Sequence, residues 1–399
     1  MRNGIHIGLV GVGNIGSHVV PHLARMPGVD RVTLIDRDVY EPQNLVGQDI
    51  TTEDIGEPKA LVQGRRIQRI APNLRVEAIV DSVENVPLGA MRCDLLLAGL
   101  DSRRARQIVN ERAWHLVIPW VDGGVEADGL LARVTVYIPG ENHACSECGW
   151  GRREYETIEQ TYPCGGGSVD APATGAPSAL GGLSASLVAI EAQLLLSGAR
   201  GPDAAGHSIL IDARHHKYFL TRLVFNPRCL MPLHLNTPAT GTRAVEECRD
   251  DVALGELLDS ARNLRVLGQS FVTALTCGRC GDRREEFRLN VSFRARPAEA
   301  CGRCGHEMVP TGFDTTDELH STSLPAGVLS SSLRDLGIRH GDWLHVSGAD
   351  GVARTLEVVD ERRRSTNSQN SKELQNSTKP EDSMESQDST PQQKAGCKR

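Results

Sequence analysis

The chain has 399 residues, a length that suggests two or three domains and leaves ample room for a hydrophobic core. Hydrophobic residues make up 39% of the chain and aromatic residues only 4%, so we expect the core to be mainly aliphatic. The formal net charge of −7 argues against a nucleic-acid binder, because neutralising phosphates needs a surplus of Lys and Arg.

The first apolar run, Ile5–Val12, is short and leads directly into a glycine motif, so we do not interpret it as a secretory signal. No stretch is expected to cross a membrane. The expected location is therefore the cytoplasm. In that compartment the eleven cysteines point to metal ligands or catalytic thiols rather than disulfides, and the six that lie in Cys-x-x-Cys pairs favour metal ligands.

The first part of the chain alternates predicted strands and helices. This order is typical of a mostly parallel sheet covered by helices on both faces, so the predicted fold class is α/β of the Rossmann type. The predicted strands are Ile5–Val12, Arg31–Asp36, Leu95–Leu100, Leu116–Val121, Leu130–Pro139, Ile209–Asp212 and Tyr218–Val224. The predicted helices are Ile15–Arg25, Lys59–Ile70, Arg103–His115 and Ser178–Ser197.

The rest of the chain changes in composition. Trp150–Ala176 is rich in Gly and Pro and is predicted to be a long loop, whereas Val245–Val266 is predicted to be helical. The last residues are rich in Ser, Asn, Gln, Lys and Glu, which cannot bury enough surface to fold, so we expect a disordered tail. The predicted divisions are 1–244 for the first domain, 245–311 for a helix and a cysteine-bearing region, 312–360 for a small β-rich unit and 361–399 for the tail.

A glycine motif, Gly11-Val-Gly13-Asn-Ile-Gly16, joins the first strand to the first helix. Its glycines permit a tight turn, a close approach of the backbone to phosphate, and close packing of helix on strand. Asp36 lies twenty residues later, at the end of the next strand, where a carboxylate can accept from ribose hydroxyls. Taken alone, these residues favour an NAD-dependent oxidoreductase.

The residues that follow form a more specific pattern. Asp36-Arg-Asp38 runs into Val39-Tyr-Glu41-Pro42-Gln-Asn44-Leu45-Val-Gly-Gln48, then come Gly56-Glu-Pro-Lys59-Ala60 and Ile70-Ala-Pro72, and a later strand leads into Asp101-Ser-Arg-Arg-Ala-Arg106. This ordered set, spread over roughly residues 5–235, resembles the ThiF/MoeB/HesA family of ubiquitin-activating-enzyme-like adenylyltransferases. An oxidoreductase would leave several of these residues without a role.

The resemblance implies that ATP and Mg²⁺ bind in this domain. Asp36 would hold the ribose, Asn44 and Lys59 would contact phosphates, and Asp101 would hold the magnesium ion. A lysine supplies a mobile positive charge, and a carboxylate suits a hard cation. The implied activity is adenylation of the C-terminal glycine of a ubiquitin-like or sulfur-carrier protein by a homodimer, with Lys59 and Asp101 as catalytic residues.

Two features depart from the family pattern. Gly47 stands where the family carries an Arg, and the chain begins almost at the first strand, without the family's leading segment and its Arg. Fewer cations weaken the stabilisation of a transferring phosphoryl group. Arg103, Arg104, Arg106 or a partner subunit are the candidates to replace them. A nucleotide-binding scaffold that has lost adenylation is therefore an alternative, beside the oxidoreductase.

A first group of metal ligands is expected around Cys145-Ser-Glu-Cys148, which follows a strand as the first zinc pair of the family does. The family's second pair follows a strand that ends in Asn-Pro; here Cys229 matches it but no second Cys comes at the expected spacing. His234, five residues later, is the predicted fourth ligand of a structural Zn²⁺ site. An ordinary surface histidine is the alternative.

A second group consists of Cys277-Gly-Arg-Cys280 and Cys301-Gly-Arg-Cys304. Two matched knuckles of this kind predict a zinc ribbon, with the glycine inside each knuckle turning backbone amides toward sulfur. Four reduced core thiols are the alternative. The ribbon and the small β-rich unit are additions to the common domain, and we expect them to recognise the protein partner or a conjugating enzyme.

Cys164 lies in the long loop, before three glycines. Because family members often carry their transfer cysteine in this loop, we expect Cys164 to accept the acyl group as a thioester. A third metal ligand or a bystander thiol is the alternative. Cys93, Cys248 and Cys397 are expected to be incidental, with Cys93 buried in the core.

Overall fold

The computed structural model describes residues 4–156, 158, 175–234, 245–258, 262–348 and 353–360. The described residues up to Val359 form one compact unit. The predicted tail, 361–399, lies outside the described residues, as do Cys397 and most of the predicted loop, including Cys164.

The strands and helices of the first 234 residues occur largely where the sequence predicts them. The strands are β1 (Ile5–Val10), β2 (Val29–Ile35), β3 (Arg75–Ile79), β4 (Leu95–Ala98), β5 (Trp120–Glu126), β6 (Leu131–Tyr137), β7 (His207–Asp212) and β8 (Lys217–Arg222). The helices are α1 (Asn14–Leu23), α2 (Lys59–Ile70), α3 (Arg103–Leu116), α4 (Arg152–Glu156) and α5 (Ser178–Leu196). The helix α4 occupies part of the predicted loop, and β5 begins later than expected because α3 continues to Leu116.

These eight strands form one sheet in the order β3-β2-β1-β4-β5-β6-β7-β8. The first five are parallel to one another, and the last three are antiparallel additions. This confirms the predicted α/β fold with a mostly parallel Rossmann-type sheet. Consecutive strand residues face opposite sides: Leu95 and Leu97 pack in the core beneath α1 and α5, whereas Leu96 and Ala98 pack with α3. Helices therefore cover both faces.

Helix α5 corrects the expectation that no stretch is fit to cross a membrane. It has 19 residues, and among the described helices it alone is long and apolar enough to do so by length and composition. Its packing gives another reason for that composition, because it lies against α1 and against β5 and β6. Small residues such as Gly181, Ser184 and Ala185 are buried on it, which allows this close approach.

Residues from 245 onward form two further sheets. Their strands are β9 (Val245–Arg249), β10 (Asn263–Val266), β11 (Phe271–Cys277), β12 (Arg283–Leu289), β13 (Glu299–Ala300), β14 (Glu307–Val309), β15 (Thr315–Thr316), β16 (Leu319–His320), β17 (Trp343–Ser347) and β18 (Ala353–Val359). Their helices are α6 (Leu254–Leu258), α7 (Asn290–Arg294) and α8 (Ala326–Leu329). One sheet has the order β16-β10-β17-β18-β9, and the other runs β12-β11-β14-β13 with β15 paired to β11.

The helix predicted over Val245–Val266 is wrong. Two strands, β9 and β10, flank the short helix α6, because β9 pairs in parallel with β18 and β10 pairs antiparallel with β17. Pairing with distant strands overrides the weak helical preference of the local sequence. Residues 245–266 thus share a sheet with residues 319–359, and the cysteine-bearing sheet is inserted between them. We call residues 245–359 the C-terminal unit.

Candidate functional site

A cavity of about 650 Å³ lies beside the carboxyl ends of β1, β2 and β4. This is the edge at which doubly wound sheets bind their ligands. All but one of the predicted nucleotide-binding residues line it: Gly11, Gly13, Asp36, Asn44, Lys59 and Asp101. We call this cavity the nucleotide crevice. Gly16 does not line the crevice but packs behind the loop.

The glycine loop can form only without side chains at two positions. Gly11 has a φ of +82°, and a Cβ there would lie 2.8 Å from the carbonyl oxygen of Gly99. A Cβ on Gly16 would lie 2.0 Å from the carbonyl oxygen of Gly11, so helix α1 packs directly on the loop. A Cβ on Gly13 would meet only Gln48, at 4.0 Å. The loop is therefore open at Gly13, where a phosphate can approach the first amides of α1.

Asp36 fixes the glycine loop as well as facing the crevice. One carboxylate oxygen accepts the backbone N–H of Val12 at 2.7 Å and the other accepts that of Asp38 at 2.9 Å. Burial raises the pKa of this carboxyl group, while the charge of Lys59 and the two amides act in the opposite direction. A carboxylate has further lone pairs, so ribose hydroxyls can still donate to it.

Lys59, at the start of α2, brings a positive charge to the crevice. It is buried, and its Nζ lies 3.2 Å from a carboxylate oxygen of Asp38 and 5.8 Å from the centre of the Tyr40 ring. Asp38 is itself half exposed, so a phosphate can compete with it for the lysine. Asn44 uses its Oδ1 to accept the N–H of Glu41 at 2.8 Å, which leaves its amide nitrogen to donate to a ligand.

Asp101 lies in the turn between β4 and α3, and two of the three candidate replacement arginines line the same crevice. Arg104 and Arg106 line the crevice, whereas Arg103 is not among its lining residues. The Nε of Arg106 donates to Asp122 at 3.0 Å, and the buried Asp122 also pairs with Arg133 at 2.5 Å. Arg106 is therefore held in a fixed position at the crevice.

Gly47 lies in a crowded position that explains its lack of a side chain. Its carbonyl oxygen accepts from Asn14 Nδ2 at 2.6 Å, and the same nitrogen donates to the carbonyl oxygen of Ala176 at 3.0 Å. A Cβ at position 47 would lie 2.7 Å from that Ala176 oxygen and 2.9 Å from Asn14 Nδ2. An arginine cannot fit there unless this contact opens.

Several residues that line the crevice were not predicted. Asn14 and Gln48 each place a buried side-chain oxygen without a hydrogen-bond partner among the described residues. The segment Asp81–Glu84 forms a further wall after β3. This wall could have been predicted, because polar residues follow β3 just as Asp36 follows β2. It was missed because the strand β3 itself was not predicted.

The first predicted group of metal ligands is brought together and buried. Cys145 Sγ lies 3.6 Å from Cys229 Sγ and 3.8 Å from His234 Nδ1, and Cys148 Sγ lies 3.6 Å from the same nitrogen. The Nε2 of His234 lies 2.6 Å from the carbonyl oxygen of His143. A proton on Nε2 would therefore donate to His143 and leave the lone pair of Nδ1 directed at the thiols. Four such ligands fit a closed tetrahedral site.

The second predicted group, Cys277, Cys280, Cys301 and Cys304, also converges, with all four sulfur atoms within 4.8 Å of one another. Cys277 and Cys304 are 3.5 Å apart, and Cys280 and Cys301 are 3.7 Å apart. A backbone N–H at Cys280 lowers the pKa of Cys277 to about 6, which favours the thiolate that a metal requires. Four cysteine thiolates form a ligand set that suits Zn²⁺.

One detail of these knuckles was not predicted from the sequence. The glycines inside the Cys-Gly-Arg-Cys motifs have ordinary φ values, and the left-handed positions are instead Gly281 and Gly305, just after each second cysteine, at +72° and +70°. The N–H of Gly281 donates to the carbonyl oxygen of Cys277 at 3.0 Å, and that of Gly305 donates to the carbonyl oxygen of Cys301 at 2.8 Å. A residue with a Cβ would be strained at either turn.

The remaining cysteines lie apart from both groups. Cys93 is partly buried against the core, and burial raises its pKa to about 12, so it suits the expected inert thiol. Cys248 is buried in the C-terminal unit. The proposed transfer residue, Cys164, lies outside the described residues, but Gly175 and Ala176, eleven and twelve residues after it, line the crevice.

Comparison with known proteins agrees with this arrangement. The sequence model of the ThiF family matches residues 2–231. The chain belongs to the ThiF family. The match spans the whole crevice and three of the four ligands in the first metal group, and it ends before the C-terminal unit.

Individual relatives match a similar length of the chain. A sulfur carrier protein adenylyltransferase of Thermus thermophilus is 34% identical over 228 residues, which cover 55% of this chain and 79% of that protein. The sulfur carrier protein ThiS adenylyltransferase of Escherichia coli is 28% identical over 213 residues, covering 53% and 78%. A crystal structure of E. coli MccB with ATP is 21% identical, covers 57% of this chain and 66% of that one, and has a TM-score of 0.46.

Proposed function

We propose that this ThiF-family chain uses ATP and Mg²⁺ to adenylate the C-terminal glycine of a ubiquitin-like or sulfur-carrier protein. The observation that carries the proposal is the convergence of Gly13, Asp36, Asn44, Lys59 and Asp101 on one crevice. An oxidoreductase would need the first two but not the rest. Relatives named as adenylyltransferases support the same activity.

In the proposed reaction a carboxylate oxygen of the partner attacks the α-phosphorus of ATP. The bond from that phosphorus to the bridging oxygen of the β-phosphate breaks, and pyrophosphate leaves with the electron pair. Lys59 and the amide of Asn44 would bind phosphate oxygens, and the first amides of α1 would do so at the glycine loop. Asp101 would hold Mg²⁺, which neutralises phosphate charge when bound.

The missing family arginine bears on whether the chain still catalyses this step. Arg106, fixed by Asp122, and Arg104 both supply positive charge at the crevice. We infer that they take over part of the stabilisation that Gly47 cannot give. If they do not, the chain would be a scaffold that binds ATP without adenylating a partner.

The second proposed step places the acyl group on Cys164. Its thiolate would attack the acyl carbon of the adenylate, a thioester bond would form, and AMP would leave with the electrons of the acyl–oxygen bond. An external sulfur donor or a conjugating enzyme is the alternative acceptor of the acyl group. The proposed setting is a cytoplasmic homodimer in which the partner's tail enters the nucleotide crevice.

The two groups of metal ligands are proposed to bind one Zn²⁺ each in a structural role. Each group offers four protein ligands, which leaves no open coordination position for catalysis. The buried His234, with its second nitrogen bonded to the carbonyl of His143, supports its role as a ligand rather than a surface histidine.

Calorimetry with MgATP and with NAD tests the ligand, and exchange of labelled pyrophosphate into ATP tests the chemistry. We expect MgATP binding, no NAD binding, and exchange only when a carrier protein ending in glycine is added. Lys59→Met should weaken ATP binding by about tenfold or more, because it removes a charge from the phosphates. Lys217→Met, an exposed lysine on β8, is the matched control. Tight NAD binding without ATP binding would overturn the proposal, and ATP binding without exchange would favour the scaffold.

A further inference from the structure

The wall of the nucleotide crevice that follows β3 is held from outside the ThiF-family domain. Asp81, Ser82, Val83 and Glu84 all line the crevice, and Val83–Asn85 forms a single helical turn. If phosphates lie at the glycine loop and the ribose lies at Asp36, the base must continue past the end of β2. The next strand in the sheet is β3, so this turn is the wall that faces the base.

The turn is fixed through the backbone carbonyl of Glu84. That oxygen accepts two hydrogen bonds, one from Arg112 at 2.9 Å and one from Gln269 Nε2 at 2.6 Å. Arg112 belongs to α3 and also donates to the carbonyl of Val86. Gln269 belongs to the C-terminal unit, in the turn between β10 and β11, so an element outside the family domain contacts the crevice wall directly.

Arg112 brings a buried positive charge to this contact. Only 3% of Arg112 is exposed, and burial lowers the pKa of its guanidinium to about 10, so it remains charged at neutral pH. Hydrogen bonds offset part of the cost of burying its charge: Nη1 and Nη2 donate to the carbonyls of Val86 and Glu84, whereas Nε has no partner among the described residues. Gly268, next to Gln269, packs over the same guanidinium, since a Cβ there would lie 3.6 Å from its Nη2.

Further contacts attach the C-terminal unit to the segment just beyond the turn. The N–H of Gly89 donates to the carbonyl of Gly341 at 2.8 Å, and Arg92 pairs with Glu357 at 2.5 Å. Trp343 is buried in the same core cluster as the α3 side chains. The unit therefore cannot shift against this segment without breaking contacts that lead to the crevice wall.

We propose that Gln269 is a positioning residue for nucleotide binding, through which the C-terminal unit sets the affinity of the crevice for ATP. The inference rests on the proposed function. Gln269 does not touch the ligand; it holds the carbonyl of Glu84 and so the turn against which the base packs. By thermodynamic linkage, bound nucleotide would stabilise this contact by the same free energy.

The test compares the Kd for MgATP, measured by calorimetry on the full zinc-loaded chain, among three proteins. Gln269→Met keeps the length of the side chain but removes the donor, and should raise the Kd about three- to tenfold, the effect of one hydrogen bond. Arg334→Ala is the control, because it removes a pair with the buried Asp250 inside the C-terminal unit, away from the crevice. It should lower the melting temperature and leave the Kd unchanged.

The outcomes separate this inference from the proposed function. Equal Kd values for the wild type and Gln269→Met would overturn the inference alone. So would an equal rise in Arg334→Ala, because that result would show that any loss of stability in the unit weakens binding. No MgATP binding to the wild-type chain would overturn the proposed function, and the inference with it.

Discussion

Replacing Gly47 by alanine tests whether this position is glycine because of packing. Gly47 has φ −121° and ψ −13°, values that other residues adopt, so the backbone itself adds no strain. The cost comes from the new Cβ, which would lie 2.7 Å from the Ala176 oxygen and 2.9 Å from Asn14 Nδ2. Relieving such contacts in a packed site costs about 1–3 kcal/mol, and loss of an Asn14 hydrogen bond adds roughly 0.5–1.5 kcal/mol.

The assay is thermal unfolding of the zinc-loaded chain, with Gly182→Ala as the matched control. Gly182 lies in α5, and a Cβ there would meet nothing within 4 Å, so alanine should be neutral or stabilising by up to about 1 kcal/mol. Gly47→Ala should melt several degrees lower than the wild type. Equal melting temperatures for the two variants would refute the packing argument.

The same contacts predict the behaviour of the family residue. Gly47→Arg should weaken MgATP binding rather than improve it, because the larger side chain must push Ala176 away from the crevice that it lines. Calorimetry on this variant checks the expectation. Tighter binding of MgATP by Gly47→Arg would show that the segment yields easily and that the crevice lacks only the cation.

Two further predictions concern metal and mechanism. Elemental analysis should give about two Zn²⁺ per chain, and changing Cys277 and Cys280 together to Ser should remove one while ATP still binds; a ratio near one in the wild type would contradict one of the two sites. Asp101→Ala should lose the adenylate, whereas Cys164→Ser should form adenylate but no thioester sensitive to reducing agent. A thioester that persists in Cys164→Ser would place the nucleophile elsewhere.

Local periodicity was enough to predict most of the large sheet. Buried parallel strands such as Leu95–Ala98 are continuous apolar runs, and the apolar spacing of α2 gave its bounds, Lys59–Ile70. The strand β3, Arg75–Ile79, was missed because charged and apolar residues alternate in it and none of its residues is fully buried. Its identity depends on pairing with β2, which the local sequence does not show.

The C-terminal unit was harder to predict for the same reason. Strand β9, Val245–Arg249, pairs with β18, Ala353–Val359, and the sheet that carries the second cysteine group is inserted between them. No local pattern records a pairing over such a distance. The convergence of the second cysteine group could be predicted because two short motifs already place sulfur atoms at the spacing that a tetrahedral ion requires. The left-handed glycines, Gly281 and Gly305, follow from turn geometry that spacing alone does not specify.

The helix α3 explains why contacts far apart in the chain bear on one crevice. Its first turn follows Asp101, and the hydroxyl of Ser102 accepts the N–H of Ala105 there at 3.2 Å. The middle of α3 contacts the segment that carries the first metal group: Gln107 donates at 3.1 Å to Glu147, a buried residue between Cys145 and Cys148.

The last turns of α3 carry Arg112. Arg112 and Gln269 of the C-terminal unit both donate hydrogen bonds to the carbonyl oxygen of Glu84. A helix is stiff along its axis because each turn is bonded to the next. The first metal group, the C-terminal unit and the crevice wall therefore all contact one element, although neither of the first two lies in the glycine motif. Sequence motifs predict which residues bind the nucleotide, whereas the contacts along α3 that hold the walls of the crevice come from residues far apart in the chain.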